Sequence, residues 1–445
     1  MIHSLKKHAV GLLSEYRGLL VVAGTRVGNI FLGLLLITLV STKFTAVEQG
    51  YFYTFLSLVA AQYFFDLGVG HILANKAGRR LSDPQLRTAN NPVASIVRFA
   101  IMWSVIASVS MYVIVGSIGF FLFSKEVSAD ISLVSVWGIY CALGCCSLVF
   151  NLFTRLYEGI GLVQLVSIAR FILAFLNVSL LYIFVRFDFG LVIINYALAI
   201  ALFCTFTSFI LLSKQVRNSF RGVLENSGTP LHWKSEVWPF QRKVAATWIF
   251  AYVVFQCQIP ILYYFDGPVA AGRFGMCVQL FQALNSTANI FLTYKIKPWT
   301  SFAVNNEHEK LQKGFWRVTL LTICVTAMGV VTILLAYQIA VFYDLAIVDR
   351  MLSFGLLALY ALAAVLNQIF FSASYYFRAQ EKEPVWILTA LSALVIVAVP
   401  LYLGAAFNEQ AAILTFLFIS ALFLCGGSMA MVLKERSNTS HISET

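Results

Sequence analysis

Twelve apolar runs fill most of this chain, at roughly 18–40, 48–75, 94–123, 131–153, 162–185, 189–212, 244–265, 272–294, 316–343, 351–377, 384–404 and 410–432. Each is close to the ~20 residues that a helix needs to cross ~30 Å of hydrocarbon. Water cannot be the solvent for such a sequence. Of its 445 residues 60% are hydrophobic and only 11% are charged, against about 25% charged in a soluble protein. In lipid the backbone must satisfy its own hydrogen bonds, so the runs are read as helices. The expected fold is an all-α polytopic membrane protein with 12 transmembrane helices.

The longest polar stretch, Ser213 to Lys243, splits these runs into six and six. It carries Lys214, Arg217, Arg221, Lys234, Arg242 and Lys243 against Glu225 and Glu236. At its middle Asn226-Ser227-Gly228-Thr229-Pro230 has the chemistry of a turn or linker. The expected organisation is an N-terminal six-helix lobe over 1–212, a cytoplasmic linker over 213–243 and a C-terminal six-helix lobe over 244–445. Ahead of the first run, residues 1–17 mix Ile2, Leu5, Leu12 and Leu13 with Lys6, Lys7 and Arg17, as a short interfacial helix does.

Twelve crossings put both termini on one side. That side collects 24 of the 31 Lys and Arg residues, the opposite side five (Lys43, Lys125, Arg186, Arg273, Arg350), and Arg26 and Arg170 lie inside runs. The asymmetry places both termini and the linker in the cytoplasm, and the protein in the cytoplasmic membrane. It also accounts for the net charge of +11 without nucleic acid, because the cations sit in short loops between apolar runs. The eight cysteines lie in apolar runs without paired CxxC spacing, and read as small core residues rather than metal ligands. There is no Walker motif, HExxH or GxSxG, so neither an enzyme nor a cofactor is expected.

What needs explaining is the polar groups inside the runs. An ionisable residue at mid-membrane costs about 2.5–3.5 kcal/mol on insertion scales and marks function or a buried pair. Arg26, Asp66 and Arg170 are each placed nine residues from a cytoplasmic helix end, roughly 14 Å deep. Equal depth lets Asp66 pair with Arg26, and leaves Arg170 without an acid and facing an aqueous cavity. Amides accompany them: Asn29 near Arg26, Asn177 two turns from Arg170, Gln256 in the seventh run and Asn367 or Gln368 in the tenth. In the eighth run Gln279, Gln282, Asn285, Ser286 and Asn289 recur at helical spacing on one face. Such amides either glue helices together or line a wet surface. Amides and aromatics suit sugar hydroxyls, and arginine suits a phosphate through its planar fork.

A trace of internal repetition survives, with Val47-x-x-Gly50-x-Phe52 opening the second run and Val269-x-x-Gly272-x-Phe274 the eighth. The stretch Val47-Glu48-Gln49-Gly50-Tyr51-Phe52 running into Phe65-Asp66-Leu67-Gly68, then Arg155-Leu156-Tyr157-Glu158-Gly159, then Pro298 followed by Glu309-Lys310-Leu311, resembles a known group. It is similar to the Wzx-type polysaccharide-unit flippases of the multidrug/oligosaccharidyl-lipid/polysaccharide (MOP) exporter superfamily. One departure is Gln256 and Gln258 where relatives often carry an acid.

The resemblance implies two pseudo-symmetric six-helix lobes of the MATE type. The cargo it implies is an oligosaccharide on an isoprenoid pyrophosphate, moved across the cytoplasmic membrane for surface polysaccharide such as O-antigen. Membrane lipid and the polysaccharide polymerase machinery are the implied partners. Arg26, Asn29, Asp66, Arg170, Asn177, Gln256, Gln279, Gln282, Asn285 and Asn289 are the expected substrate-binding residues. A multidrug or cation antiporter of the same fold, and a polytopic glycosyltransferase or polymerase, stay open.

Overall fold

The computed structural model describes residues 2–82, 93–124, 133–187, 189–224, 231, 233–305, 307–380, 382–403 and 409–443, with the side chains of 2–17, 19, 79, 82, 224, 240, 243, 244, 297, 304, 399–403, 409–416 and 436–443 outside that description. The expected turn at Asn226–Pro230 lies outside the described residues. Among those described there are helices and short connections and no strand.

In chain order the helices are α1 (Ile2–Lys43), α2 (Ala46–Val59), α3 (Gln62–Asp66), α4 (Val69–Ser82), α5 (Ala94–Phe123), α6 (Leu133–Gly159), α7 (Val163–Phe184) and α8 (Ile193–Leu212). There follow α9 (Lys214–Leu224), α10 (Trp238–Gln256), α11 (Gln258–Val304), α12 (His308–Phe342), α13 (Phe354–Ala379), α14 (Trp386–Leu403) and α15 (Glu409–Ser443). Among the described residues nine helices are long and apolar enough to cross a membrane, and the bent pair Ala46–Asp66 and Val69–Gly78 makes a tenth. One of the nine, Ala245–Ile296, runs for 52 residues and covers two of the expected crossings, and Trp386–Ala398 is a shorter apolar helix. The architecture is therefore consistent with twelve. The segment expected to lie flat before the first crossing is instead continuous with it in α1. The outward faces agree with a lipid solvent: Val105, Val109, Val113, Phe120 and Phe121 of α5 are all more than half exposed.

Local chemistry sets the breaks. Thr45 caps α2 in a capping box, its hydroxyl accepting from the Glu48 N–H while the Glu48 carboxylate accepts from the Thr45 N–H. The second crossing breaks at Leu67 and Gly68, both at positive φ (48° and 73°), and bends by 47°. The long α11 kinks at Gly267 (φ 81°), and Pro268 follows where a helix restarts without needing its N–H.

The chain folds as two compact units: Met1–Leu39 with Ala61–Arg242, and Val40–Ala60 with Lys243–Thr445. The second boundary falls at the end of the expected linker. The first unit omits Val40–Ala60, which the sequence assigns to the N-terminal lobe. That segment, containing α2, packs along α11 in the second unit. The reason is a glycine seam. A Cβ at Gly50 would lie 1.9 Å from the Pro268 carbonyl oxygen, and one at Gly272 would lie 2.9 Å from the Gly50 nitrogen. Gln49, buried beside the seam, donates from Nε2 to the carbonyls of Gly272 and Arg350, each at 3.1 Å. The two copies of the V-x-x-G-x-F repeat thus meet each other inside one unit.

Candidate functional site

Within the first unit four charged side chains near the helix break stand in two ion pairs. Asp66 ends α3 at the helix break, where its Oδ1 accepts the Gly70 N–H at 3.1 Å and so caps the start of α4. Its Oδ2 accepts from Nη1 of Arg155 at 3.0 Å. The pair is nearly enclosed, with side-chain exposures of 9% for Asp66 and 16% for Arg155. Arg155 also lies 5.7 Å from the centre of the Tyr63 ring. One turn along α6, Glu158 accepts from Nη1 of Arg170 at 2.6 Å, and Nη2 of Arg170 donates to Thr154 Oγ1 at 3.0 Å. Four charges on three helix segments therefore form two pairs, and Arg155 and Glu158 contribute one each from adjacent turns of α6.

This corrects two expectations. Asp66 pairs with Arg155 and not with Arg26, and Arg170 has an acid, Glu158. Both missed partners belong to the Arg155-Leu156-Tyr157-Glu158-Gly159 motif. The apolar run ends near 153, which puts that motif in a loop, whereas α6 continues to Gly159 and carries it as its last turn. The readable signal was the i, i+3 spacing of opposite charges. Helix continuation is driven by packing: a Cβ at Gly159 would lie 2.3 Å from the Ala74 carbonyl oxygen, so α4 and α6 cross in backbone contact. Arg26 is exposed and forms no ion pair among the described residues. Asn29 is half-buried, with an Oδ1 that has no hydrogen-bond partner among the described residues, and Asn177 is half-buried in the same unit.

Around a cavity in the second unit the polar groups are neutral, and several have an unpaired atom. The cavity, of about 260 Å³, is lined by Val254 and Phe255 of α10, Gln258, Gln282, Asn285, Ser286 and Asn289 of α11, Tyr360, Ala363, Ala364, Asn367 and Phe371 of α13, and Leu417 of α15. Of the expected stripe on α11, Gln282, Asn285, Ser286 and Asn289 line it, while Gln279 is half-buried outside it. Gln256 also lies off the lining, and Gln258 takes its place. The two glutamines flank Cys257, where the helix is interrupted between α10 and α11. The Gln256 carbonyl accepts from the Ser57 hydroxyl at 2.5 Å, which fixes the break against α2.

One hydrogen bond crosses this cavity wall, from Nε2 of Gln368 to Oδ1 of Asn289 at 3.0 Å. Nε2 of Gln258 and Oδ1 of both Asn285 and Asn367 are buried and have no partner among the described residues. Gln258 is 2% exposed. A buried polar atom left unsatisfied costs about 1–3 kcal/mol, so donor and acceptor groups gathered on one cavity are groups prepared to meet a polar guest. Phe255 and Phe371, with ring centres 5.4 Å apart, add an aromatic wall. Among the described lining residues there is no Asp, Glu, Lys or Arg.

The same fold occurs in solved transporters. The chain matches an inward-facing multidrug resistance MATE family transporter of the MOP superfamily at 15% identity over 94% of this chain and 96% of that one, with a TM-score of 0.70. It matches the MATE multidrug transporter DinF-BH, solved as a complex, at 12% identity over 94% and 95%, with a TM-score of 0.59. A third match is a MOP superfamily transporter from Pyrococcus furiosus, described as having a binding pocket of reverse polarity that suggests a different function. It is 15% identical over 96% and 95%, with a TM-score of 0.55. No family model matches the chain, and no curated protein does. The chain therefore has the fold of the MATE transporters, and its apolar helices make it a multi-pass membrane protein.

Proposed function

We propose that this protein is a transporter that moves a lipid-linked oligosaccharide, an isoprenoid pyrophosphate carrying a sugar unit, across the cytoplasmic membrane by alternating access, with both termini in the cytoplasm and the polysaccharide polymerase machinery downstream. The observation that carries this reading is the chemistry of the cavity in the second unit. It is neutral, rich in amides and walled by aromatic rings, which is the complement of a hydroxylated sugar ring. Gln258, Asn285 and Asn367, each with an unpartnered amide atom among the described residues, offer both a donor and acceptors. In the first unit taken by itself, Arg26 is the arginine within an apolar run that no acid engages among the described residues, and so the one available to an anionic group. Arg170, with Glu158 against it, is given a structural role in place of the phosphate-binding one expected for it.

A multidrug or cation antiporter is the competing reading, and it draws on the multidrug transporters that share the fold. An organic cation desolvated in a membrane cavity needs an acid to hold it, and the described lining offers none. The transporter from Pyrococcus furiosus supports reading function from pocket polarity, since its description ties the two together.

The deciding experiment places the gene in cells lacking their own lipid-linked oligosaccharide flippase. The wild type restores surface polysaccharide, and Gln258→Leu with Asn367→Leu reduces it about tenfold at equal protein abundance, the effect of losing about 1.4 kcal/mol of recognition. Arg26→Gln acts in the same direction. A wild type that confers resistance to a cationic dye without restoring polysaccharide selects the antiporter reading. A double variant with full polysaccharide takes the cavity in the second unit out of cargo recognition.

A further inference from the structure

The first unit carries a charged surface that neither the ion pairs nor the cavity uses. The crossing Gly190–Leu212 ends in Leu211 and Leu212, both strongly exposed, and the chain turns at Ser213 in an extended conformation. Helix α9 begins at the next residue. Ser213 caps it, with Oγ accepting the Val216 N–H at 3.3 Å, and Nη1 of Arg217 reaches back to the Leu211 carbonyl, covering the end of α8. The helix is therefore fastened at the level where the crossing leaves the hydrocarbon.

Its two faces differ sharply. Val216 is fully buried and joins the core cluster of this unit, and Phe220 packs on Phe153 with ring centres 5.4 Å apart. Nη2 of Arg98, one turn into α5, donates to the Val223 carbonyl at 3.4 Å. The apolar face is thus occupied by protein, across the ends of α5 and α6. The outward face presents Lys214, Gln215, Arg217, Asn218 and Arg221, and the helix has no acidic residue. Val237 belongs to the same core cluster, and beside it Trp233 and Trp238 pack with ring centres 5.1 Å apart, both exposed. Exposed Lys234 lies between them in the chain.

Most interfacial amphipathic helices insert their apolar face into lipid. Here that face is used up by the protein, so only the cationic face remains for the membrane. Exposed tryptophans mark the headgroup level in membrane proteins, and juxtamembrane cations attract anionic headgroups. We infer that α9, with the Trp233–Trp238 segment that shares its core cluster, is a docking surface for the headgroups of anionic phospholipids. The attraction is one of charge, through Lys214 and Arg217 above all, with the tryptophan rings holding the segment at the interface. This inference does not depend on what the protein transports.

The test uses the purified full chain in a neutral detergent, followed by thermal unfolding. Phosphatidylglycerol raises the midpoint, phosphatidylcholine does not, and the rise shrinks in about 0.5 M salt. In Lys214→Gln with Arg217→Gln the phosphatidylglycerol concentration for half the effect increases about tenfold. Arg217→Lys keeps the response, because the charge survives. Lys214→Glu provides a reading independent of the contact between Arg217 and Leu211, and it abolishes the response. The control Lys310→Gln with Lys313→Gln, two exposed cations at the start of α12, leaves the response unchanged. An equal rise with phosphatidylcholine, the same rise from inorganic phosphate, or a Lys214→Glu protein with the wild-type lipid response each overturns the inference.

Discussion

The polar groups beside the closest helix crossings differ in kind between the two units of this protein. Both cross a pair of helices in backbone contact through glycine, at Gly78 and Gly159 in the first and at Gly50 and Gly272 in the second. Beside those seams the chemistry diverges. The first unit holds Asp66 against Arg155 and Glu158 against Arg170, each charge matched within 3.0 Å. The second holds amides around a cavity, several with an atom that bonds to nothing described. Matched charges stabilise only while both partners are present. Unmatched neutral groups cost less and leave capacity for a ligand. On the proposed function the first pattern serves as scaffold and the second as binding surface.

That contrast is breakable by mutation, and the largest effect belongs to the enclosed pair. Arg155→Gln leaves Asp66 charged and buried at the helix break, which costs about 3–5 kcal/mol. The expected outcome is a steep drop in the thermal unfolding midpoint and in membrane abundance. Asp66→Asn added to it recovers part of the loss, because the stranded charge is gone. A double variant no better than the single one would show that the pair acts through packing and not through charge.

Arg170→Gln is expected to be milder. Arg170 and Glu158 are 33% and 32% exposed, so solvent screens the pair and the loss is about 1 kcal/mol. Unfolding in detergent measures it directly. A loss as large as that of Arg155→Gln would mean that the two pairs act as one network through α6.

In the second unit the sign changes. Asn285→Leu removes a buried acceptor that has no partner among the described residues, so stability holds or rises by up to about 1 kcal/mol while surface polysaccharide falls in the complementation assay. Lower stability without loss of transport would assign Asn285 to helix packing. The smallest stability change, within about 0.5 kcal/mol, is expected for the exposed Arg26→Gln, and its effect is read in transport.

At particular residues the sequence misleads, and the reasons are physical. Val40–Ala60 packs with the second unit although the rest of that unit begins only at Lys243, and local hydropathy contains no information about a partner so distant. The V-x-x-G-x-F repeat at 47 and 269 was the visible trace of that contact, since only glycine permits backbones so close. The charged residues Arg155 and Glu158 looked like loop residues because the apolar run stops before them. Their pairing lets α6 carry charge into the unit, and pairing is a property of three helices at once.

The lipid solvent and the helical fold follow from the residues alone. Both rest on how much apolar surface each run presents and on backbone hydrogen bonding, which are local quantities. The sequence also placed Gln282, Asn285, Ser286 and Asn289 on one face, because helical spacing alone decides which residues share a face. Only the tertiary structure decided that Asp66 takes Arg155, that Arg170 takes Glu158, and that Gln258 rather than Gln256 lines the cavity. A pair between charges depends on distances across helices to within an ångström, and which of two glutamines faces a cavity depends on how their helix is turned against its neighbours. No period in a single sequence records either.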